Sequence, residues 1–258
     1  ITWKETATGI EFSDGKIALP SPSTIDAKVA YKTAKRPQTE IPVEEPKNDF
    51  ELVGTGKGVL LLGKIEGVKL KIKPGVYQNI GWDKATNCII DATGVELPNG
   101  IVDMRDCRNV EFFGLKVINQ SYRAINIRGF NTNVWLHHMH FENIGNNVIT
   151  FENPLVYDGT DNTVNINSKI TDCTFINTHT GVSLNGGYNL SNGTIIGLTR
   201  GFKLLNCVAK DCPDLGRLID APMSEDIEIA YNRVDNVNTK YPANSPNGTH
   251  NGIFIVTG

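Results

Sequence analysis

A tryptophan, a histidine and two lysines of this sequence have the types and the spacing that suit chemistry on an acidic sugar. Trp135 and His137 alternate along one segment, and Lys169 and Lys203 follow at successive intervals of 34 residues. An aromatic ring packs against the apolar face of a sugar, and lysines neutralise carboxylates. Cleavage of a polyuronate by β-elimination needs that neutralisation and a base for the neighbouring proton. We expect Lys169 and Lys203 to neutralise, and His137 or one of these lysines to be the base; the alternative is that the lysines are solvated charges on a sheet face.

Two long segments are expected to form the wall of a groove above these side chains. They are residues 152–168 and 185–201, and each precedes a segment that carries one of the two lysines. Long loops in a compact fold often carry function, although neutral elaboration is the alternative. The predicted substrate-binding residues are Trp135 on the floor and, on the wall, Tyr157, Asp158, Asp161, Tyr188 and Arg200.

A repeated phrase in the C-terminal two-thirds of the chain would position these residues. The phrase is a large apolar residue, two residues, a small or apolar residue, one residue, a large apolar residue, one residue, and Asn or Asp. Repetition at a period of roughly 20–50 residues indicates a solenoid, and alternation within the phrase indicates strands. Asn tolerates the left-handed backbone of a sharp bend, and stacked amides bond to one another. We therefore expect a ladder of the residues that end the phrase: Asn119, Asn143, Asn177, Asp211 and Asn236.

The predicted fold is an all-β, right-handed parallel β-helix solenoid of about six to seven coils with a non-repeating N-terminal cap region. Each coil is expected to hold three short strands, with like residues stacked in columns. A second apolar column begins at Val102 and ends at Ile255, and Ile90 and Val95 extend the first column backward. Residues 1–58 are assigned to the cap or strap region and residues 59–258 to the parallel β-helix domain.

Composition and chain ends restrict the classes of function. The 258 residues carry a net charge of −3, and a pI near 6.0 argues against a nucleic-acid or anionic-membrane surface. No segment approaches the roughly 18 consecutive apolar residues of a membrane span, so no membrane insertion is expected. The chain begins at Ile1 without a signal peptide, which favours a processed or excerpted protein that is secreted, periplasmic or at the cell surface. It stops within a coil, so an oligomeric partner or further chain is expected to cover that end.

The cysteines and the histidine run also invite interpretation. The sequence contains no Cys-x-x-Cys pair, which argues against a zinc or redox motif. Cys173 and Cys207 fall in the inward column, where they either pack as small hydrophobes or form a disulfide between adjacent coils. Alternation and the bend place His137 and His140 on different sheets, so a single tetrahedral metal site is not predicted.

Residues 133–143 resemble a strand motif of pectate lyases and related right-handed β-helix proteins. That motif reads Asn-Val-Trp-Ile-Asp-His-Cys and continues to Phe and Asn, and the Lys-Pro-Gly-Val-Tyr of residues 73–77 resembles entry segments of the same superfamily. The resemblance covers about residues 60–258 and implies a right-handed coil with a saccharide groove along the first strand sheet. Calcium is the cofactor it would imply, but the motif's calcium-binding Asp is His137 here, whereas His138 matches the motif's His.

Two functions are therefore open from the sequence. The leading prediction is an exported, polysaccharide lyase-like protein that acts on an acidic glycan. The alternative is a non-catalytic glycan-binding, adhesin or structural β-helix module. No Asp pair with the His and Arg motif of polygalacturonases is found, so an inverting hydrolase of that kind is not expected.

Overall fold

The computed structural model describes residues 12–13, 16–17, 45–152, 163–185, 187–189, 194–212, 217–221 and 224–237. The chain divides into two compact units, Ile1–Pro42 and Val43–Gly258. In the first unit, strands β1 (Phe12–Ser13) and β2 (Lys16–Ile17) pair antiparallel. Within the described ranges there is no helix, and hence none long and apolar enough to cross a membrane.

The described part of the second unit is built mostly from strands. In chain order these are β3 (Phe50–Val53), β4 (Lys57–Leu61), β5 (Lys64–Glu66), β6 (Lys69–Ile72), β7 (Gly75–Trp82), β8 (Lys84–Asp91), β9 (Val95–Pro98), β10 (Ile101–Arg105), β11 (Cys107–Phe113), β12 (Lys116–Ile118), β13 (Ile125–Arg128), β14 (Asn131–His137), β15 (His140–Glu152), β16 (Thr163–Ile166), β17 (Lys169–Thr171), β18 (Thr174–Leu184), β19 (Gly187–Asn189), β20 (Thr194–Ile196), β21 (Leu198–Arg200), β22 (Lys203–Leu205), β23 (Val208–Cys212), β24 (Arg217–Asp220), β25 (Ser224–Glu225), β26 (Glu228–Ala230) and β27 (Arg233–Val237).

Two parallel sheets take up these strands, apart from the antiparallel hairpin β19–β20. In each sheet a strand pairs with the strand that lies one sequence repeat further on, so the apolar residues of consecutive repeats meet around a shared interior. The chain is thus all-β with parallel strands, an arrangement compatible with a β-solenoid. The first sheet contains β3, β5, β6, β8, β11, β14, β16, β17, β21, β22, β25 and β26, and the second contains β4, β7, β9, β10, β12, β13, β15, β18, β23, β24 and β27.

The predicted register of the repeated phrase is confirmed. The residues that open the phrase lie opposite one another in consecutive strands of the first sheet: Ile90, Phe112, Leu136, Ile170, Leu204 and Ile229. In the second sheet Phe141 lies opposite Phe175, and their rings stack with centroids 5.5 Å apart. Like-on-like stacking therefore builds the core as the spacing of the phrase predicts.

Val95 is a correction to the predicted column. It was expected to align with Val117, but Leu97 lies opposite Val117, and Val95 lies opposite Gly75. Seven residues separate Ile90 from Leu97, whereas five separate Phe112 from Val117. The extra residues form a tight turn in which Val95 N donates to Ala92 O at 2.9 Å, and this turn shifts the apolar pair.

The strand and loop boundaries also differ from the prediction. In the central coils, the second and third expected strands form one continuous strand. Both β15 and β18 run through the Asn bend, and their pairing is irregular only between Ile144 and Asn147. The two expected loops are partly strand, since β16 pairs with β14 and β21 pairs with β16 in the first sheet. Parallel pairing begins at β3, within the segment that the sequence assigned to the strap.

The Asn ladder is confirmed for its first three members. Asn143 Nδ2 donates to Asn119 Oδ1 at 2.9 Å, and Asn177 Nδ2 donates to Asn143 Oδ1 at 2.7 Å. These three residues and Asp211 have φ between 49° and 58°, the left-handed bend that Asn and Asp tolerate. The side chain of Asn236 and the end of the second column at Ile255 lie outside the described residues.

The cysteines resolve the alternative left open by the sequence. All five are free and buried, so Cys173 and Cys207 pack in the core without a disulfide. Burial raises the pKa of the Cys173 thiol well above its ordinary value, and it raises the pKa of the Cys107 thiol to about 12. These thiols therefore stay protonated and behave as small apolar groups.

Candidate functional site

One outward row of the first sheet holds most of the predicted chemistry. Its members lie opposite one another in consecutive strands: Glu111, Trp135, Lys169, Lys203 and Glu228. Their neighbours along each strand, such as Leu136 and Leu204, are buried in the core. Because side chains alternate across a strand, the row faces away from the core, and its members are spaced by the roughly 4.8 Å that separates adjacent strands.

Trp135 and Lys169 form a direct pair. The Nζ atom of Lys169 lies 3.7 Å from the centroid of the Trp135 ring, within cation–π distance. Trp135 Nε1 donates to Thr171 Oγ1 at 3.1 Å, and this hydrogen bond fixes the orientation of the indole on the outward face of the sheet. Among the described residues no carboxylate lies within salt-bridge distance of Lys169. Its positive charge is therefore available to an anionic ligand.

His137 lies beside Trp135 but is nearly enclosed. Its relative exposure is 7%, and its ring stacks on Phe113 at 4.8 Å and packs against Trp135 at 4.2 Å between centroids. His137 Nε2 is 3.0 Å from Glu111 Oε1, and its Nδ1 is 2.7 Å from His138 Nδ1. Since a carboxylate only accepts, Nε2 donates to Glu111, and Nδ1 accepts from His138. Both ring nitrogens are thus engaged.

Burial lowers the pKa of His137 from its ordinary value of 6.5, although the hydrogen bond and charge of Glu111 act in the opposite direction. Desolvation penalises the imidazolium form, so the neutral ring is favoured at neutral pH. The neutral tautomer with hydrogen on Nε2 is also the one that the two hydrogen bonds require. His137 therefore contributes no charge to the row.

Lys203 and Arg200 are neutralised by the neighbouring strands. Lys203 Nζ lies 2.6 Å from Glu228 Oε2, and about half of each side chain is exposed. Arg200, which was predicted on a loop wall, lies in β21 of the first sheet and pairs with Glu225. Both cations of this coil are thus compensated by carboxylates one coil further on.

The surface around Trp135 is a groove that crosses several coils, here called the Trp135 groove. Two depressions meet there, one of about 280 Å³ that reaches Lys203 and one of about 270 Å³ that reaches Glu111. Both are lined by Asn133, Trp135 and Lys169, so these three residues form the boundary that the depressions share. The groove is open to solvent along its length and accommodates an extended ligand lying across the strands.

A second amide ladder borders this groove, and the sequence analysis missed it. Asn109 Nδ2 donates to Asn87 Oδ1 at 2.9 Å, and Asn133 Nδ2 donates to Asn109 Oδ1 at 2.8 Å. Asn167 continues the corner with φ 52°, and Gly201 follows with φ 69°. A Cβ on Gly201 would lie 2.3 Å from Asn167 Oδ1 at a left-handed φ, so a larger residue would displace the Asn167 side chain and strain the backbone. The signal was present in the sequence, because these Asn residues recur with the same spacing as the first ladder.

Glu111 was also missed, although it is one repeat upstream of Trp135 in the same column. Of the predicted wall residues, Tyr157, Asp158 and Asp161 lie outside the described residues. Tyr188 is opposite Ile195 in the hairpin β19–β20, and its side chain is not among those described. The predicted wall is therefore represented only by Arg200.

The histidine run divides as predicted. His137 ends β14 of the first sheet, whereas His140 begins β15 of the second sheet and contacts Glu142 at 3.2 Å. In the part of the chain that the structure describes, no three His, Cys, Asp or Glu residues are grouped to hold a metal ion. Calcium prefers oxygen ligands, and the position that carries Asp in the pectate-lyase motif presents the engaged imidazole of His137. The residues present do not fit calcium.

The chain matches no protein-family model, no curated protein and no solved structure.

Proposed function

We propose that this chain is an exported, carbohydrate-active protein that binds an acidic glycan along the Trp135 groove. The proposal includes a right-handed parallel β-helix of about six to seven coils, similar to the pectate-lyase superfamily. One observation carries the binding proposal: the ammonium group of Lys169 lies 3.7 Å above the Trp135 ring, with no described carboxylate paired to it. An aromatic platform beside an uncompensated cation is the combination that an acidic sugar requires.

The remaining groove residues suit the rest of a sugar. A pyranose presents an apolar face to an indole, while its hydroxyl groups need donors and acceptors. The amides of Asn109 and Asn133 stand at the edge of the groove and supply both. Partly buried Glu111 adds an acceptor on the other side of Trp135. The groove therefore offers stacking, charge neutralisation and hydroxyl recognition on one face.

The activity that fits an acidic glycan is polysaccharide lyase-like β-elimination. A base removes the proton next to the uronate carboxylate, the electron pair forms a carbon–carbon double bond, and the glycosidic oxygen leaves with its electron pair and takes up a proton. Lys169 neutralises the carboxylate and so acidifies that proton. Lys203 is released when Glu228 turns away, and in its unprotonated form it is the base that takes up the proton. His137 packs against Trp135 and supports its ring. It is not the base in this mechanism, because both of its nitrogens are engaged.

Binding without cleavage is the second candidate, and the state of His137 favours it. A general base needs a free lone pair within reach of the substrate, whereas the His137 Nδ1 lone pair accepts from His138. Lys203 is likewise held by Glu228 at 2.6 Å. In this case the chain is a glycan-binding or adhesin module that uses the same groove.

The two candidates are separated by measuring binding and product on the same panel of pectate, alginate and glycosaminoglycan oligosaccharides. Calorimetry of wild type, Trp135→Ala and Lys169→Met is expected to show at least tenfold weaker binding in each variant. Lys210→Met, which removes an exposed lysine from the second sheet, is the matched control and should bind as wild type does. Absorbance of an unsaturated uronate product indicates the lyase, and binding without product indicates the module. Equal binding by wild type and Lys169→Met contradicts the proposal.

A further inference from the structure

The outward row of the Trp135 groove has a carboxylate at each end and two lysines between them. In the outward row, Glu111 precedes Trp135, and Glu228 follows Lys203. Lys169 is the only cation among these residues without an opposite partner, since Lys203 pairs with Glu228, whereas Glu111 bonds to neutral His137 and keeps its negative charge. A single uncompensated cation is therefore flanked, two strands away on either side, by a carboxylate.

The spacing of these charged residues makes the groove selective for the pattern of charge on a glycan. Adjacent strands are about 4.8 Å apart, so Glu111 and Glu228 each lie about 10 Å from the position of Lys169 along the groove. A pyranose in an extended chain advances by roughly one strand spacing, so a glycan lying across the strands places a sugar near each member of the row. A sugar carboxylate directly above Glu111 or Glu228 would lie well within the Debye length of about 8 Å at physiological salt, so salt does not screen out the repulsion.

Both carboxylates are held in place. Glu111 Oε1 lies 3.0 Å from His137 Nε2, and its side chain is 30% exposed. Glu228 Oε2 lies 2.6 Å from Lys203 Nζ, and its side chain is 48% exposed. An acidic sugar directly above Glu111 would meet a fixed negative charge that no cation pairs with. An acidic sugar above Lys203 would have to displace Glu228 from its ion pair.

We infer that the groove selects glycans in which an isolated acidic sugar is flanked by uncharged sugars, and discriminates against homopolyuronates that carry a carboxylate on every residue. This inference rests on the proposed function and adds the charge pattern of its substrate. The acidic sugar lies at Lys169, an uncharged sugar stacks on Trp135, and further uncharged sugars cover Glu111 and Glu228. Low charge density, rather than high, is thus the recognised feature.

The test uses oligosaccharides of equal length that differ only in free carboxylates. Galacturonan and alginate oligosaccharides are prepared in three forms: fully methyl-esterified, with a single free carboxylate, and fully de-esterified. The affinity of each form for the full chain is measured by calorimetry. The singly charged member is expected to bind about fivefold more tightly than either other member of its series, as one well-placed ion pair at the surface allows. Equal or tighter binding of the de-esterified member overturns the inference and leaves the proposed function intact. If no acidic member binds better than its neutral ester, the proposed function itself fails.

A charge-removing variant tests the cause of the discrimination. Glu228→Gln frees Lys203, so it should raise the affinity for the de-esterified oligosaccharide about fivefold relative to the affinity for the singly charged member. Glu96→Gln is the matched control, because Glu96 pairs with Lys116 at 3.0 Å on the second sheet, away from the groove. If Glu228→Gln changes neither affinity, or changes both equally, electrostatic discrimination by this residue is refuted.

Discussion

The pairing of Trp135 with Lys169 explains how one site serves both an apolar and a charged part of a ligand. A cation over an indole face contributes about 0.5–1 kcal/mol at an exposed site, so the contact orients the lysine without immobilising it. Its flexible stem lets the ammonium turn toward an arriving carboxylate while the ring remains in place through Thr171. The indole face is then uncovered for the sugar.

His137 makes a prediction about pH and stability. Its pKa is lowered in the folded protein by burial, so the unfolded chain binds the proton more readily. Stability from this residue is therefore fully present above about pH 6.5 and is lost as pH falls below that value. We expect the melting temperature to decline below about pH 6.5, and His137→Gln to flatten that decline. NMR titration of His137 gives the direct readout, and a pKa above 6.5 would contradict the account.

The residue types of the site were open to prediction, but their contacts were not. Alternation along a strand put Trp135, Lys169 and Lys203 on one face, and parallel register aligned them. The hydrogen bond from His137 to Glu111 and the ion pair of Lys203 depend on side-chain rotamers, which spacing does not determine. These contacts are what weaken His137 as a base and neutralise Lys203.

At the scale of elements, left-handed corners joined by amide ladders set the register of the strands. Asn143 donates to Asn119 and accepts from Asn177, so it bonds to the coils on both sides. Each such bond contributes roughly 1 kcal/mol, and the left-handed backbone costs a non-glycine residue about 1–2 kcal/mol. The ladder thus stabilises the bends in addition to linking the coils.

Substitutions of Asn143 separate the contribution of the amide bonds from the cost of the left-handed bend. Asn143→Ala removes both bonds and leaves a Cβ at φ 57°, so we expect a loss of about 2–3 kcal/mol in the free energy of unfolding. Asn143→Gly removes the same bonds but relieves the backbone, and should lose about 1–2 kcal/mol. Urea denaturation monitored by circular dichroism measures both. Equal losses would show that the bend carries no strain, and no loss would show that the ladder carries no stability.

The sequence predicts elements well where one repeat resembles the next. The aligned apolar residues of the phrase and the first Asn ladder follow from spacing alone. Turn lengths do not, because the tight turn from Ala92 to Val95 displaces the apolar pair without disturbing its alternation. The strand β16 inside a predicted loop was missed, since its pairing with β14 depends on a neighbouring coil rather than on its own pattern.

For the whole molecule, overall charge and local charge oppose each other. The chain carries a net charge of −3, which repels an acidic glycan at long range, whereas Lys169 attracts its carboxylate at contact distance. Salt screens both interactions, but the Debye length falls to about 3 Å at 1 M, so the contact pair persists longest. The groove therefore works through a short-range attraction against a weak background repulsion.

The short-range attraction and the background repulsion predict that salt affects glycan affinity differently in the wild type and in Lys169→Met. Wild-type affinity for a singly charged oligosaccharide should fall severalfold between low salt and about 0.5 M, because the Lys169 contact is weakened. In Lys169→Met only the background repulsion remains, so the residual affinity should stay constant or rise with salt. Calorimetry at a series of salt concentrations measures both, and parallel salt dependence in the two proteins would rule out Lys169 as the attractive charge.

The central claim is that an acidic glycan occupies the groove over Trp135, and the indole N–H signals of an ¹⁵N-labelled protein test it most directly. The chain has three tryptophans, and Trp135→Phe assigns the signal of interest. Titration with a singly charged uronate oligosaccharide is predicted to shift the Trp135 signal while that of Trp82, whose indole is buried against Cys107, stays in place. Saturable binding that leaves the Trp135 signal unmoved would contradict the account.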